Sequence, residues 1–157
     1  MKPTVYLETT IISYLASWPS RDLVTAAHQQ ITHDWWTNQR GLFDAYVSQI
    51  VVDEASGGNP EAAARRVAVI SHMPRLETLD EARGLAEALV SARLVPERYG
   101  NDAAHIAIAT VHGMQYLLTW NCAHMANATV RRNVERFLVQ QGYQPPILCT
   151  PTDLQEE

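Results

Sequence analysis

Short apolar runs alternate with longer amphipathic segments along this chain. Four- to five-residue runs that favour β-structure predict strands at 4–7, 45–49, 76–79, 116–119 and 147–150. Apolar positions at helical spacing, with Gly or Pro near many of the boundaries, predict helices between them. These helices are expected at 11–17, 22–39, 50–56, 60–71, 80–93, 103–112 and 128–141.

This alternation indicates an α/β fold, because parallel strands are joined by crossover connections that are usually helices. We expect a three-layer α/β/α sandwich around a central, mainly parallel sheet of four to five strands. The 157 residues, 46% of them apolar, are enough for one hydrophobic core. We therefore predict one domain over residues 1–151 and a loose polar C-terminal tail over 152–157.

Composition narrows the classes of function. The net charge of −5 argues against a protein that coats duplex nucleic acid, although it leaves room for a local RNA cleft. Arg131, Arg132 and Arg136 share one predicted helix, where a solvated face is favoured over phosphate contacts. No run approaches the roughly 20 apolar residues that cross a bilayer, so we expect a cytoplasmic protein without a membrane partner. Cys122 and Cys149 show neither zinc nor disulfide spacing and are expected to be buried free thiols.

Polar residues follow three of the predicted strands. Glu8 comes directly after the first strand, Glu54 lies on the short helix after the second, and Asn121 follows the fourth. Asp102 stands where another helix begins. Each has an ordinary alternative: Glu8 and Asp102 suit helix N-termini, Glu54 an exposed helix face and Asn121 a turn.

Taken together, these residues indicate a metal site. Ligands of open parallel sheets bind beyond the carboxyl ends of the strands, so Glu8, Glu54 and Asn121 can share that edge. Carboxylates held close together repel one another unless a cation lies between them. Oxygen ligands suit Mg²⁺ or Mn²⁺, and such an ion can activate water for phosphodiester hydrolysis.

Three segments carry a family resemblance. Residues 5–15 (VYLETTIISYL), 101–109 (NDAAHIAIA) and 117–121 (LLTWN) resemble the conserved motifs of PIN domains, and the spacing agrees over nearly the whole chain. A lone domain of this size resembles the VapC-type toxins of type II toxin–antitoxin pairs, which are Mg²⁺-dependent ribonucleases held inactive by a small partner protein. The resemblance implies a PIN-like fold, an RNA substrate and a small antitoxin protein as partner. A homodimer is also expected. Trp35 and Trp36 are candidates for a partner or dimer surface, although Trp35 also fits the apolar stripe of its predicted helix.

The resemblance also assigns site residues. It implies metal binding by Glu8, Glu54 and Asp102, with Thr10, Thr119 and Asn121 near the metal or the phosphate. Two positions depart from the family: Glu8 stands where an Asp is usual, and Asn121 replaces an Asp with a neutral amide, which should weaken a second metal.

His105 lies three residues after Asp102 on the same helical side. It could reach the site, although a buried or capping histidine is the favoured interpretation. Two other functions stay open. The neutral Asn121 suits a catalytically weak or silent PIN domain that binds RNA or protein. A nucleotide-binding module ranks last, because the first turn lacks glycine-rich phosphate motifs.

Overall fold

The computed structural model describes residues 1–155 and contains five strands and seven α-helices in that range. The strands are β1 (Thr4–Leu7), β2 (Asp44–Ser48), β3 (Arg75–Leu76), β4 (Tyr116–Leu118) and β5 (Ile147–Cys149). The helices are α1 (Thr9–Ala16), α2 (Leu23–Asn38), α3 (Gln49–Ala55), α4 (Pro60–Ile70), α5 (Asp80–Ser91), α6 (Gly100–Val111) and α7 (Ala128–Gln140). Short 3₁₀ helices at Arg40–Leu42 and Glu97–Tyr99 precede β2 and α6.

All five strands are parallel, in the order β3-β2-β1-β4-β5. The register aligns Leu7 at the end of β1 with Leu118 at the end of β4. After β1 the chain moves towards β2 and β3, whereas after β4 it moves the other way to β5. The edge between β1 and β4 is therefore the switch point of the sheet, where ligands of open α/β folds bind.

The reversal of strand order at the switch point also determines which face of the sheet each helix covers. Because parallel crossovers are right-handed, the connections from β1 to β3 place α1–α4 on one face, and those from β3 to β5 place α5–α7 on the other. Packing agrees, since α1 contacts α2 and α4 while α5 packs on α6. The predicted three-layer α/β/α architecture is confirmed, with a sheet that is entirely parallel.

Element boundaries mostly lie within two residues of those predicted, with two larger differences. β3 spans two residues rather than four, because only Arg75 and Leu76 pair with β2 and the chain then leaves this edge of the sheet. Helix α6 begins at Gly100 rather than 103, which places Asp102 inside its first turn.

The core contains side chains from both helical layers, and three predictions about individual residues can be compared with it. Trp35 is buried and packs against Phe43, so its ring does not belong to an open surface, while Trp36 is half-buried under Arg40. Cys149 is a buried free thiol, as predicted. The prediction of a buried thiol is wrong for Cys122, which is exposed because it lies in the loop beyond β4.

The C-terminal residues pack more closely than a loose tail would. Leu154 is 6% exposed and belongs to the core, and Asp153 forms an ion pair of 2.7 Å with Arg131. The prediction of a loose tail is therefore wrong for Asp153 and Leu154. The buried Leu154 side chain and the Asp153–Arg131 ion pair hold these residues against the domain. Residues 156 and 157 of the predicted tail lie outside the described residues, and the domain boundary stays a prediction.

Within residues 1–155, none of the helices combines the length and apolar character needed to cross a membrane.

Candidate metal centre

Glu8 lies at the switch point and is held by three donors. It is the N-cap of α1, and its Oε2 accepts a hydrogen bond of 3.1 Å from the Thr10 backbone N–H. Its Oε1 accepts the hydroxyl groups of Thr10 and Thr119, each at 2.6 Å. Because Thr119 directly follows β4, this contact joins the ends of the two strands. Glu8 is only 4% exposed, and its carboxylate orientation is therefore set by the protein.

Glu54 approaches the same edge from α3. Its Oε1 accepts the Thr9 hydroxyl at 2.7 Å and lies 2.6 Å from His105 Nε2. The Glu54 side chain is 32% exposed, whereas that of His105 is 1% exposed. Burial raises the pKa of Glu54, but the hydrogen bond and electrostatic attraction from His105, together with Thr9 and Asn101, outweigh it and leave the pKa below its ordinary value. Glu54 is thus an ionised ligand candidate at neutral pH.

Behind His105 lies a buried chain of hydroxyl groups. The Tyr6 hydroxyl is 2.6 Å from His105 Nδ1 and 2.7 Å from the Ser48 Oγ. Ser48 also caps α3, where its Oγ accepts the Val51 N–H. Burial raises the pKa of Tyr6 well above its ordinary range, so its phenol stays protonated. The chain connects β1, β2 and α6 to the Glu54 carboxylate.

Asp102 and Asn121 both form hydrogen bonds to His124, so they are linked to each other through this residue rather than through Glu8 and Glu54. Asp102 Oδ2 lies 2.7 Å from His124 Nδ1, and their side chains are 18% and 20% exposed. Asn121 Oδ1 accepts the His124 backbone N–H at 3.0 Å. The Tyr99 ring covers the His124 imidazole at a centroid distance of 4.3 Å. Of these two predicted site residues, Asp102 therefore lies on α6 and Asn121 in the loop that follows β4.

Trp120 anchors that loop. Its backbone N–H donates to the Thr10 hydroxyl at 2.9 Å, and its indole N–H donates to the Thr32 hydroxyl at 2.7 Å. The indole stacks on His28 at 4.0 Å, with an interplanar angle of 11°. This packing ties the loop to α1 and α2, next to Glu8.

Three ligand atoms converge at the edge. One atom each from Glu8, Glu54 and His105 lies within 4.8 Å of the others. Among residues 1–155 this is the group of His, Cys, Asp and Glu side chains close enough to share an ion, and Asp102 is outside it. The structure thus brings together two of the three predicted metal ligands and the histidine that was assigned to their surroundings.

Comparisons with known proteins agree with this architecture. VapBC2 from Rickettsia felis, solved bound to a DNA fragment from its promoter, superposes with a TM-score of 0.54 at 16% identity, over 75% of this chain and 88% of that one. Mycobacterium tuberculosis VapC20, a toxin that cleaves the sarcin–ricin loop, superposes with a TM-score of 0.55 at 14% identity, over 77% and 92%. The protein has the PIN-like fold of VapC toxins. No family model matches the sequence, and no curated protein matches it significantly.

The donor set of this PIN-like domain suits a hard divalent cation. Carboxylate oxygens from Glu8 and Glu54 are the ligands that Mg²⁺ and Mn²⁺ prefer, and hydroxyl donors hold the Glu8 carboxylate in place. Ligands of a six-coordinate ion lie roughly 3–4 Å apart, judged from metal–oxygen distances of about 2.1 Å. Separations within 4.8 Å therefore need only small side-chain movements to surround one ion.

Sequence reasoning missed Tyr6, Ser48 and His124. Tyr6 and Ser48 are fully buried and look like ordinary strand residues in the hydrophobic pattern. His124 is 22 residues from its partner Asp102. A usable signal was the presence of hydroxyl groups at the buried positions of two neighbouring strands, since a buried hydroxyl needs a polar partner.

Proposed function

We propose that the protein is a divalent-metal-dependent endoribonuclease and the toxin of a toxin–antitoxin pair. The observation that carries the proposal is the convergence of Glu8 and Glu54 at the switch point of a PIN-like sheet. We assign Mg²⁺ or Mn²⁺ to Glu8, Glu54 and Asp102, with Asn121 beside the phosphate. When bound, the ion would supply an activated water and stabilise charge on the phosphodiester.

The side chains of this domain have distinct tasks in that reaction. Thr10 and Thr119 fix the direction of the Glu8 carboxylate, because both hydroxyl groups donate to the same oxygen. His105 and Thr9 do the same for Glu54. His124 holds the Asp102 carboxylate towards the loop, so Asp102 must give up that contact to join the other two acids. Fixed carboxylates lose little freedom when they bind an ion, which favours binding.

RNA is the proposed substrate, and an antitoxin is the proposed protein partner. VapC20 cleaves an RNA element and VapBC2 is a toxin–antitoxin complex, and both share the fold of this chain. We extend an RNA substrate, a small antitoxin and a homodimer to this protein as part of the proposal, together with a cytoplasmic location.

One observation favours a second function. Asn121 contributes no charge, and its Oδ1 already accepts a hydrogen bond from the His124 backbone N–H. Asp102 is bonded to His124 and lies outside the converging group. A catalytically silent PIN domain that binds RNA or protein would tolerate both features, whereas a nuclease must bring Asp102 to the ion.

An RNA-cleavage assay with metal removal separates the two functions. Purified protein is freed of metal with EDTA, dialysed and assayed on structured and single-stranded RNA, with Mg²⁺ or Mn²⁺ restored. Wild type should cleave only after metal is restored, Asp102→Asn should lose cleavage, and Glu87→Gln should match wild type. Glu87 is an exposed acid on α5 and serves as the matched control. Cleavage that persists in EDTA or in Asp102→Asn would contradict the proposal, and absence of any cleavage would favour the silent domain.

A further inference from the structure

Ser48, Tyr6, His105 and Glu54 form a row of hydrogen bonds. The direction of donation along this row follows from which of its atoms can donate and which can only accept. Tyr6, Ser48 and His105 are all buried, so each hydroxyl or ring proton needs an acceptor within the protein. Ser48 Oγ already accepts the Val51 N–H. Among the described contacts, the Tyr6 oxygen is the acceptor that remains for the Ser48 hydroxyl proton.

The positions of the Tyr6 and His105 protons follow from that donation by Ser48. If the Ser48 hydroxyl donates to the Tyr6 oxygen, the Tyr6 proton must point to His105 Nδ1, 2.6 Å away. His105 Nδ1 is then an acceptor, and the ring proton is on Nε2. Nε2–H points at Glu54 Oε1 at 2.6 Å, where the ionised carboxylate can only accept. Every donor in this arrangement has an acceptor.

The opposite direction leaves a buried group unmatched. With a proton on His105 Nδ1, the Tyr6 oxygen would accept from the ring and the phenol would donate to Ser48. Ser48 would then accept two hydrogen bonds and have no described acceptor for its own proton, which is unfavourable for a buried hydroxyl. A neutral imidazole of that form would also aim the Nε2 lone pair at the Glu54 carboxylate.

We infer that His105 is a positioning residue, which the Ser48–Tyr6 hydroxyl chain locks with its proton on Nε2 so that it orients the Glu54 carboxylate. This inference rests on the proposed metal site and deepens it. A protonated Nε2 has no lone pair for a cation, so His105 is excluded as a ligand although it lies in the converging group. The site then offers oxygen ligands alone, and the metals selected should be Mg²⁺ and Mn²⁺ rather than Zn²⁺.

The tautomer is measurable without any metal. Protein labelled with ¹⁵N at histidine and freed of metal is examined by long-range ¹H–¹⁵N NMR, and His105 is assigned by the signal missing from His105→Gln. We expect a protonated Nε2 and an acceptor Nδ1. In Tyr6→Phe, which keeps the ring but removes the donor to Nδ1, the Nδ1 resonance should shift and the single tautomer should be lost. A proton on Nδ1 in wild type would overturn the inference.

Metal affinity tests the consequence for Glu54. Mn²⁺ is titrated into wild type, Tyr6→Phe, His105→Gln and His105→Leu, each first checked for folding by its amide spectrum. His105→Gln keeps an N–H donor near the position of Nε2 and should stay within about threefold of wild type. His105→Leu should lose about 10-fold or more, as removal of a group that orients a ligand does. Equal affinities for Gln and Leu variants would contradict a positioning role.

One further readout, together with the tautomer measured in metal-free protein, separates failure of the inference from failure of the proposed function. Spin-echo EPR of the Mn²⁺-bound wild type should show no coupling to a ligand ¹⁵N, and a strong coupling would make His105 a ligand. If wild type binds no Mn²⁺, the proposed metal chemistry fails, and the tautomer measured in metal-free protein still decides whether the hydroxyl chain locks His105.

Discussion

Glu8 and Glu54 belong to one candidate site, but the protein holds them by different means. Glu8 is buried and receives donors from its own turn and from the neighbouring strand end. Glu54 is on a helix, partly exposed, and is held by a histidine from a distant element. A strand-end carboxylate is therefore positioned by its own turn and the adjacent strand end, whereas a helix carboxylate depends on buried contacts made across the fold.

The largest expected difference is in folding stability. Glu8→Ala removes the common acceptor of the Thr10 and Thr119 hydroxyl groups, and Thr119 is fully buried. We expect the free energy of unfolding in EDTA to fall by about 2–3 kcal/mol, since buried donors left without partners are costly. Glu54→Ala should cost less than about 1 kcal/mol, because the Glu54 side chain is 32% exposed and water that enters its vacated position can accept from His105 Nε2 and Thr9. Urea unfolding followed by far-UV circular dichroism measures both, and equal losses would contradict the comparison.

A smaller change tests single hydroxyl groups. Thr119→Val keeps the shape but removes the donor to Glu8 and the acceptor for the Asn121 N–H. We expect a loss of about 1–2 kcal/mol by the same unfolding assay. Thr9→Val removes an equivalent donor to Glu54 at the exposed side and should cost less than about 0.5 kcal/mol. Matching losses would show that burial does not distinguish the two carboxylates.

The positions that sequence reasoning predicted are those decided by local geometry. Glu8 and Thr119 directly follow strands, and the carboxyl ends of adjacent parallel strands meet wherever the helices pack. The fold could be predicted for the same reason, since strand and helix periodicities are local. Thr119 was placed near the metal by the resemblance to PIN domains, whereas Glu8 also followed from its position after the first strand.

The positions that were missed depend on partners far along the chain. Nothing local shows that Tyr6 meets His105 across 99 residues, or that Asp102 bonds to His124 instead of joining Glu8. The short β3 and the exposed Cys122 depend on where the chain leaves the sheet edge, and periodicity carries no information about this. Side-chain pairing across elements is a property of the folded core.

The Glu54 contact should also depend on pH. Its pKa is lowered in the folded protein, so its contribution to stability is fully present above the ordinary value of 4.5 and is lost as pH falls through the lower folded pKa. In EDTA, the stability difference between wild type and Glu54→Gln should be constant from pH 7 to 5 and shrink below about pH 4.5. The effect should be small because the side chain is one-third exposed. A difference that is constant down to pH 3 would contradict it.

The two cysteines extend the comparison of buried and exposed positions to reactivity. Burial, followed by the negative charge of Asp153, raises the pKa of Cys149 to about 12, so its thiol stays protonated at pH 8. Cys122 is exposed. Iodoacetamide at pH 8 should therefore label Cys122 in the native protein and Cys149 only in urea, as read by peptide mass spectrometry. Comparable native labelling of both residues would show that β5 opens readily at this edge.

The most direct test of the central claim is calorimetric titration of Mn²⁺ into metal-free wild type, Glu8→Gln and the control Glu87→Gln. We expect one binding event in wild type and the control, and in Glu8→Gln a loss of Mn²⁺ affinity of about 100-fold or more, which exceeds the effect of removing a group that only orients a ligand. Equal binding by wild type and Glu8→Gln, or no binding by any of the three, would contradict a metal centre at the switch point of the sheet.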